Sequence, residues 1–391
     1  MPSTKKVVVI GGSYAGVAAA MRLNTALGLQ ENVDLTLITK EDHFQHNLGS
    51  FRALVEPSFA EKLFIPYSKI FTSTNGKIVQ GTVIAIHPNN VVLAGGSNVP
   101  FDYLIIATGS SYPSRRTPLS SPSKSSKDTR TEGIAELQEI ATAIKEAKSV
   151  LVVGGGPVGI EIAGEVATDY PEKKVTLVHA STTLMNGPYS DKFKARLLST
   201  LQQRKVNVVL GERVEGLQSF FPDPTHKGWH LGATSVKTNT GREITAEVIL
   251  LATGNSSFNS HLVRSLSEDL IDARGQLKVR PTFQLDNDAF PHIFAAGDVT
   301  NADNKLAYLA KPQAEIAADN IAKLIKSGPD ANLATYKPST SVFAVVAIGR
   351  SGGVAQILGV WGDWVVKMLK SKDLFVKRYW AELGLAKEFP Q

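Results

Sequence analysis

Hydrophobic positions along the chain fall into short β-branched runs that end on glycine and hand over to a helical pattern. Lys5-Lys6-Val7-Val8-Val9-Ile10 runs into Gly11-Gly12, an apolar helical period follows from Ala15 to Leu27, and Leu35-Thr36-Leu37-Ile38 closes the unit. This succession predicts a buried strand, a tight turn, a helix and a second strand parallel to the first, in about the thirty residues that a parallel crossover needs. The unit recurs: Ser149 to Val153 leads into Gly154-Gly155-Gly156, a helix from about Val158 to Asp169, and the strand Val175-Thr176-Leu177-Val178. Each copy is followed by a strand ending on Ala-Thr-Gly, Tyr103 to Gly109 in the first half and Val248 to Gly254 in the second. A last strand, Pro291 to Ala296, ends in Gly297-Asp298 and predicts a helix from about Pro312 to Ile325.

The glycine turns carry the chemistry. A diphosphate needs backbone N–H groups and a positive helix end facing it, and a side chain of any size at the turn would hold it away. Gly11-Gly12-Ser13-Tyr14-Ala15-Gly16 meets the G-x-G-x-x-G pattern at its first and third positions, with the small Ser13 at the second. Gly154-Gly155-Gly156-Pro157-Val158-Gly159 meets it fully between a strand and a helix, the context that makes the pattern informative. The acid that usually binds ribose at the end of the second strand is missing in both copies. In the first, Thr39-Lys40 stand there with Glu41 beyond; the Thr39 hydroxyl is expected on the ribose and Lys40 near the adenosine or phosphates. In the second, His179 stands there, followed by Ala180 and Ser181, so nothing repels a 2′-phosphate and discrimination between NADH and NADPH should be weak.

Composition narrows the reading. The 391 residues are 43% hydrophobic and 20% charged, as in an ordinary globular protein, and their number suggests two or three domains. There is no cysteine, which excludes disulfides, thiolate metal sites and electron relay through a cysteine pair, so no metal site is expected. A net charge of +6 favours anionic ligands without choosing among them. No apolar run is long enough to span a membrane and no signal core follows Met1-Pro2-Ser3-Thr4, so a cytoplasmic location is expected. Residues 110–130, rich in Ser and Pro with Arg115, Arg116, Lys124, Lys127 and Arg130, read as an exposed basic linker.

Together these features predict an α/β fold of two nested Rossmann-like dinucleotide-binding domains, glutathione-reductase-like, with a small α+β C-terminal domain. The expected boundaries are 1–125 with 255–332 for FAD, 126–254 for NADH or NADPH, and 333–391 for the C-terminal unit. The chain further resembles the apoptosis-inducing-factor-like flavoproteins related to type II NADH dehydrogenases, and most closely the ferroptosis suppressor branch. The resemblance rests on Phe44-Gln45-His46-Asn47, Leu54-Val55-Glu56, Ile78-Val79-Gln80-Gly81, Tyr170-Pro171-Glu172-Lys173, Ala307-Tyr308-Leu309-Ala310 and Lys370-Ser371-Lys372-Asp373-Leu374-Phe375-Val376.

That resemblance implies FAD contacts from Arg52, from Asn47, from the backbone of Val83 at the adenine, from Thr108 and Gly109, and from Asp298, following Gly297, at the ribityl chain. It implies that Glu161 stands beside the nicotinamide, near the turn of Gly154, Gly156 and Gly159 and the strand end at Gly254, and that His46 and Tyr308 lie near the flavin. The implied reaction is NAD(P)H:quinone reduction. Pro2 stands where animal members carry the glycine that is myristoylated, so that lipid anchor is not expected.

Several residues admit a structural reading beside the functional one. His46 is either a proton donor to a quinone or a loop-capping polar residue, and Glu161 either serves the dinucleotide or pairs with a base at a domain interface. Trp361, Trp364, Val365, Met368 and Leu369 recur at helical spacing among Lys367, Lys370, Lys372, Lys377 and Arg378. The favoured reading of that tail is packing on the core or across a homodimer, with peripheral contact to a lipid droplet or mitochondrial membrane surface as a secondary role. Other functions compatible with the pattern are reduction of a small electron-carrier protein and a flavin-switched signalling role. Scattered rather than clustered Lys and Arg disfavour a nucleic-acid partner.

Overall fold

The computed structural model describes residues 4–72, 75–111, 127–217, 228–254, 257–338 and 342–391. Pro2, Arg115, Arg116 and Lys124 of the sequence reading lie outside them.

β1 (Lys5–Ile10), α1 (Tyr14–Leu27) and β2 (Val33–Thr39) form the first crossover, followed by the short helix α2 (Ser50–Ala53), β3 (Gly76–Gln80) and β4 (Tyr103–Ile106). After α3 (Arg130–Glu146), the unit repeats as β5 (Ser149–Val153), α4 (Pro157–Asp169) and β6 (Lys174–His179), with β7 (Asn207–Leu210), β8 (Trp229–Lys237) and β9 (Glu243–Leu251) after it. β10 (Ile293–Ala295) and α5 (Ala307–Ser327) return the chain to the first unit. The C-terminal unit holds β11 (Ala344–Ala347), β12 (Gly353–Gln356), β13 (Val360–Trp361) and α6 (Val376–Glu382).

Two five-stranded sheets result. The first has the order β10-β4-β1-β2-β3 and is parallel throughout; the second has the order β7-β6-β5-β9-β8, parallel except for β8 against β9. In each, the founding strand is central and its neighbours lie on opposite sides, which opens a crevice beyond its C-terminal end. The central strands read as unbroken apolar runs because helices and loops cover both faces: Val7 to Ile10 and Val150 to Val153 are all buried. Arg22 is ion-paired to Asp319 at 2.6 Å and Lys326 donates to the Ala26 carbonyl, which pins α1 along α5.

Two local readings are corrected. The helix after Gly-Asp starts at Ala307, five residues before Pro312, which sits inside it. Residues 127–130 are not all linker: the Thr129 hydroxyl accepts from the Glu132 amide as an N-cap, and Arg130 opens α3 with its Nε on the Phe64 carbonyl at 2.9 Å.

Candidate active site

The duplication seen in the sequence is a duplication in geometry. Gly11 donates to the Ile38 carbonyl and Gly154 to the Val178 carbonyl, each at 2.8 Å, while Ala107 and Ala252 donate back to Ile10 and Val153. Gly11 and Gly154 adopt φ of +113° and +123°, which side chains rarely tolerate, and a Cβ on either would strike the facing carbonyl of Ala107 or Ala252. A Cβ on Gly16 would strike Gly11 O, and one on Gly159 would strike Gly154 O. These glycines therefore set how closely each helix approaches its strand end. Ser13 and Gly156, the second fingerprint glycine position in each copy, are N-caps with no side-chain cap bond, and nothing lies within 4 Å of a Cβ built on Gly156. Both helix ends thus face open space with unsatisfied N–H groups, the arrangement a diphosphate requires.

At the strand ends the residues differ from expectation. Thr39 is buried, and its hydroxyl donates to the Glu41 carbonyl at 3.2 Å and to Glu41 Oε2 at 3.3 Å. Lys40 turns away to Asp128, 2.7 Å from its carboxylate. His179 accepts from the Gly155 amide at 3.1 Å through Nδ1, which fixes the proton on Nε2, and burial lowers its pKa. It props the glycine turn rather than presenting a charge.

Glu161, on the second turn of α4, is buried and meets Lys370 Nζ at 2.5 Å. The same Oε1 accepts from the Ala347 amide at 2.9 Å, and Lys370 also donates to the Val345 carbonyl at 3.1 Å. Burial pushes the Glu161 carboxyl up, while the ammonium and the amide pull it back. One turn on, Glu165 takes two bonds from Arg52, at 2.7 and 2.8 Å, and Arg52 Nη2 also donates to the Ser371 carbonyl. Arg52 was expected on FAD; its guanidinium is instead spent on this pair, because a fully buried cation must find a carboxylate. Arg350 completes the junction, reaching Asp169 at 2.9 Å and Glu56 at 2.7 Å. Three chain segments distant in sequence therefore meet around α4, with no local signal to announce it. Lys370, Glu165 and Arg350 were not singled out by sequence as partners, although Lys370 opens the Lys-Ser-Lys-Asp-Leu-Phe-Val motif.

His46 is wholly buried. Its Nε2 donates to the Leu374 carbonyl at 2.7 Å, so its Nδ1 accepts from the Tyr14 hydroxyl at 3.2 Å, and Tyr379 packs over the ring at 4.4 Å. Burial lowers its pKa to about 4, so at neutral pH the ring is uncharged and its one N–H is committed to the Leu374 carbonyl. The expectation of a proton donor is corrected: His46 positions Tyr14. Tyr14, Phe44 and Tyr379 then line a groove of about 220 Å³ between α1, α5 and α6, with Met21, Ala307 and Lys311. Tyr308, half exposed on the first turn of α5, is not in its walls.

The neutral His46 has a measurable consequence. Unfolded, the ring titrates near 6.5; folded, near 4, so between those values the unfolded chain binds a proton that the fold refuses. Its contribution is complete above pH ~6.5 and is lost as pH falls toward ~4, to the extent of about 3 kcal/mol. Urea unfolding of the His46→Gln variant is expected to show a visibly smaller loss of stability than wild type between pH ~7 and pH ~4.5; equal losses would contradict the burial argument.

Of the remaining expected residues, those that follow β4 and β10 lie together. The Asp298 carboxylate accepts from the Ser110 hydroxyl at 2.9 Å, Gly297 donates to Gln313 Oε1 at 3.0 Å, and Thr108 donates to the Asn259 carbonyl. Gly109 and Gly254 have positive φ with open space above them. Val83 is half-buried at the start of the strand Val83–His87. Asn47 Oδ1 is buried without a hydrogen-bond donor, a costly state that a ligand N–H or O–H relieves. That orphan and the two glycine cradles fit a flavin dinucleotide in the first unit and a nicotinamide dinucleotide in the second.

In the tail, Asp363–Val366 is followed by a wider-wound turn at Lys367–Ser371 and a left-handed break at Leu374 and Phe375 before α6. Trp380 is buried, with its N–H on the Lys62 carbonyl. Trp361, Trp364 and Met368 are 49, 74 and 64% exposed, so the stripe read as core packing lies on the surface. Trp361 ends β13 and the helical turn begins only at Asp363, so these residues do not form one helical stripe. Among the described residues no helix is long and apolar enough to cross a membrane.

Comparison with known proteins agrees with this architecture. Residues 5–317 match the family described as pyridine nucleotide-disulphide oxidoreductase. The chain is 34% identical to apoptosis-inducing factor homolog B of Dictyostelium discoideum over 99% of both chains, and 33% identical to human ferroptosis suppressor protein 1 over 96% of this chain and 94% of that one. In fold it is similar to the sulfide:quinone oxidoreductase of Aquifex aeolicus, with a TM-score of 0.72 at 18% identity, covering 97% of this chain and 91% of that one. With its duplicated glycine cradles and no cysteine, the chain belongs to the pyridine nucleotide-disulphide oxidoreductase family, in the branch of apoptosis-inducing factor homologues and ferroptosis suppressor proteins, and is an FAD-containing, NAD(P)H-dependent oxidoreductase.

Proposed function

We propose that this chain oxidises NADH or NADPH and delivers the two electrons to a quinone. When bound, the two cofactors supply the hydride transfer. The protein supplies two rigid cradles that hold them in register, a buried Glu161–Lys370 pair at the nicotinamide end of α4, and Asp298 with the N-terminus of α5 toward the flavin. The observation that carries the acceptor class is the aromatic groove at Tyr14, Phe44 and Tyr379, which opens beside the first turn of α5. It offers flat rings and an apolar wall to an uncharged aromatic acceptor. Tyr308 stands at the same helix start with a half-exposed ring on which such an acceptor stacks. With its one N–H committed to the Leu374 carbonyl, His46 accepts from the Tyr14 hydroxyl and holds it toward the site.

The exposed Trp361, Trp364 and Met368, interleaved with the exposed Lys367 and Lys372, suit an anionic lipid surface, where a quinone with a long tail resides. The family resemblance, and the name of the sulfide:quinone oxidoreductase with the same fold, support the acceptor class.

The test uses two acceptors, a short-chain ubiquinone in solution and a long-chain ubiquinone in vesicles containing anionic lipid. Wild type is expected to reduce both. The Trp361→Ser, Trp364→Ser double variant should keep the solution rate and lose about tenfold on vesicles, the effect of removing two interfacial anchors. NADH oxidation that neither quinone accelerates would overturn the quinone reading, and an unchanged vesicle rate would overturn the lipid-facing one.

A further inference from the structure

We propose that Glu41 is the carboxylate that holds the adenosine ribose of FAD, a task displaced by two residues from the end of β2. The proposal rests on FAD occupying the first glycine cradle. An acid at the end of the second strand ordinarily takes the ribose hydroxyls in a βαβ dinucleotide site. Here that position is Thr39, and its side chain lies under the turn: a Cβ on Gly12 would collide with Thr39 Oγ1 and with the Tyr67 hydroxyl. Buried and committed, Thr39 spends its one hydroxyl proton on Glu41, between the carbonyl at 3.2 Å and Oε2 at 3.3 Å. The Glu41 carboxylate is thereby folded back toward the second glycine.

Tyr67 closes the cluster. It donates to the Gly12 carbonyl at 2.7 Å and stands 3.5 Å from Thr39 Oγ1. Burial first, and then the negative charges of Glu41 and Asp42, raise its pKa against the pull of Thr39, so the hydroxyl keeps its proton on that carbonyl. Lys40, the residue between, points to Asp128 and leaves Glu41 without an ion pair among the described residues. An acceptor-only group is thus held next to the cradle with Oε1 available, the chemistry that ribose hydroxyls need.

The second unit supplies the contrast. His179 occupies the position equivalent to Thr39, and a Cβ on Gly155 would collide with its ring. Two residues further stands Ser181 in place of an acid. Both units therefore use the strand-end side chain to prop the second residue of the glycine turn and leave ribose recognition to the residue two places on. A carboxylate there suits FAD, whose ribose bears two hydroxyls, and would repel a 2′-phosphate. A serine there tolerates either nicotinamide dinucleotide.

The experiment titrates apoprotein with FAD and with an FAD analogue lacking the adenosine 2′-hydroxyl, reading quenching of flavin fluorescence. Wild type should prefer FAD by about tenfold, one charge-assisted hydrogen bond. Glu41→Gln should lose about tenfold for FAD and very little for the analogue, so the preference disappears, while thermal unfolding without flavin stays unchanged. A preference that survives in Glu41→Gln would overturn the proposal, as would a wild type that binds both equally. Wild type binding neither would instead remove the flavin reading itself. The Ser181→Glu variant gives the converse: the ratio of NADH to NADPH affinity should rise about tenfold, and an unchanged ratio counts against ribose recognition at this place.

Discussion

Replacing Arg52 with methionine is expected to destabilise the chain by about 3–5 kcal/mol, because Glu165 would remain buried without its cation. Arg52 and Glu165 are each almost inaccessible, and their two parallel bonds of 2.7 and 2.8 Å join α2 to α4. The third bond, to the Ser371 carbonyl at 2.9 Å, adds the C-terminal segment. Removing both charges together, in Arg52→Met, Glu165→Leu, should recover most of the loss, since a buried ion pair contributes little over a well-packed apolar pair of similar volume. Urea unfolding of the two singles and the double gives the coupling. A direct flavin contact from Arg52 predicts otherwise: FAD affinity would fall in the single variant and stay low in the double. A single variant as stable as wild type would contradict the buried pair.

The second large effect separates the two dinucleotides. Gly159→Ala places a Cβ against Gly154 O at the closest helix–strand approach of the second unit, so α4 and its amide groups must retreat from the diphosphate. The purified variant should keep bound FAD and lose about 100-fold or more in its rate of reduction by NADH, near 2.7 kcal/mol of lost positioning. Gly16→Ala makes the same collision with Gly11 O and should give the converse, a protein that fails to retain flavin. Stopped-flow reduction and flavin content read the two separately. Equal behaviour of the pair would mean that the two turns do not serve different ligands.

What the sequence made legible is what local physics determines. β-branched runs ending in glycine specify buried parallel strands and tight turns without reference to distant residues, and their repetition places both cradles. The side chains around the site were less legible, because each has a partner far away along the chain. Glu161 meets Lys370 across 209 positions and Arg52 meets Glu165 across 113, so nothing near Arg52 says whether it serves a cofactor or a carboxylate. His46 shows the same problem: its neutrality comes from complete burial, reinforced by the distant Lys370 ammonium and opposed by the Leu374 carbonyl, 328 positions away. At Thr39 the sequence showed the missing acid but not its consequence, since only the fold reveals the hydroxyl turned under Gly12 toward Glu41. In the tail, helical spacing suggested one packed stripe, but Trp361 belongs to β13 and Trp364 to the helical turn after it, and both are exposed.

The most direct test of two facing dinucleotide sites is anaerobic mixing of the FAD-loaded protein with one equivalent of NADH or NADPH, following the flavin's visible absorbance. Both nucleotides should bleach it in a single turnover, and added short-chain ubiquinone should restore it. Flavin that stays oxidised beside either nucleotide would contradict the account at its root.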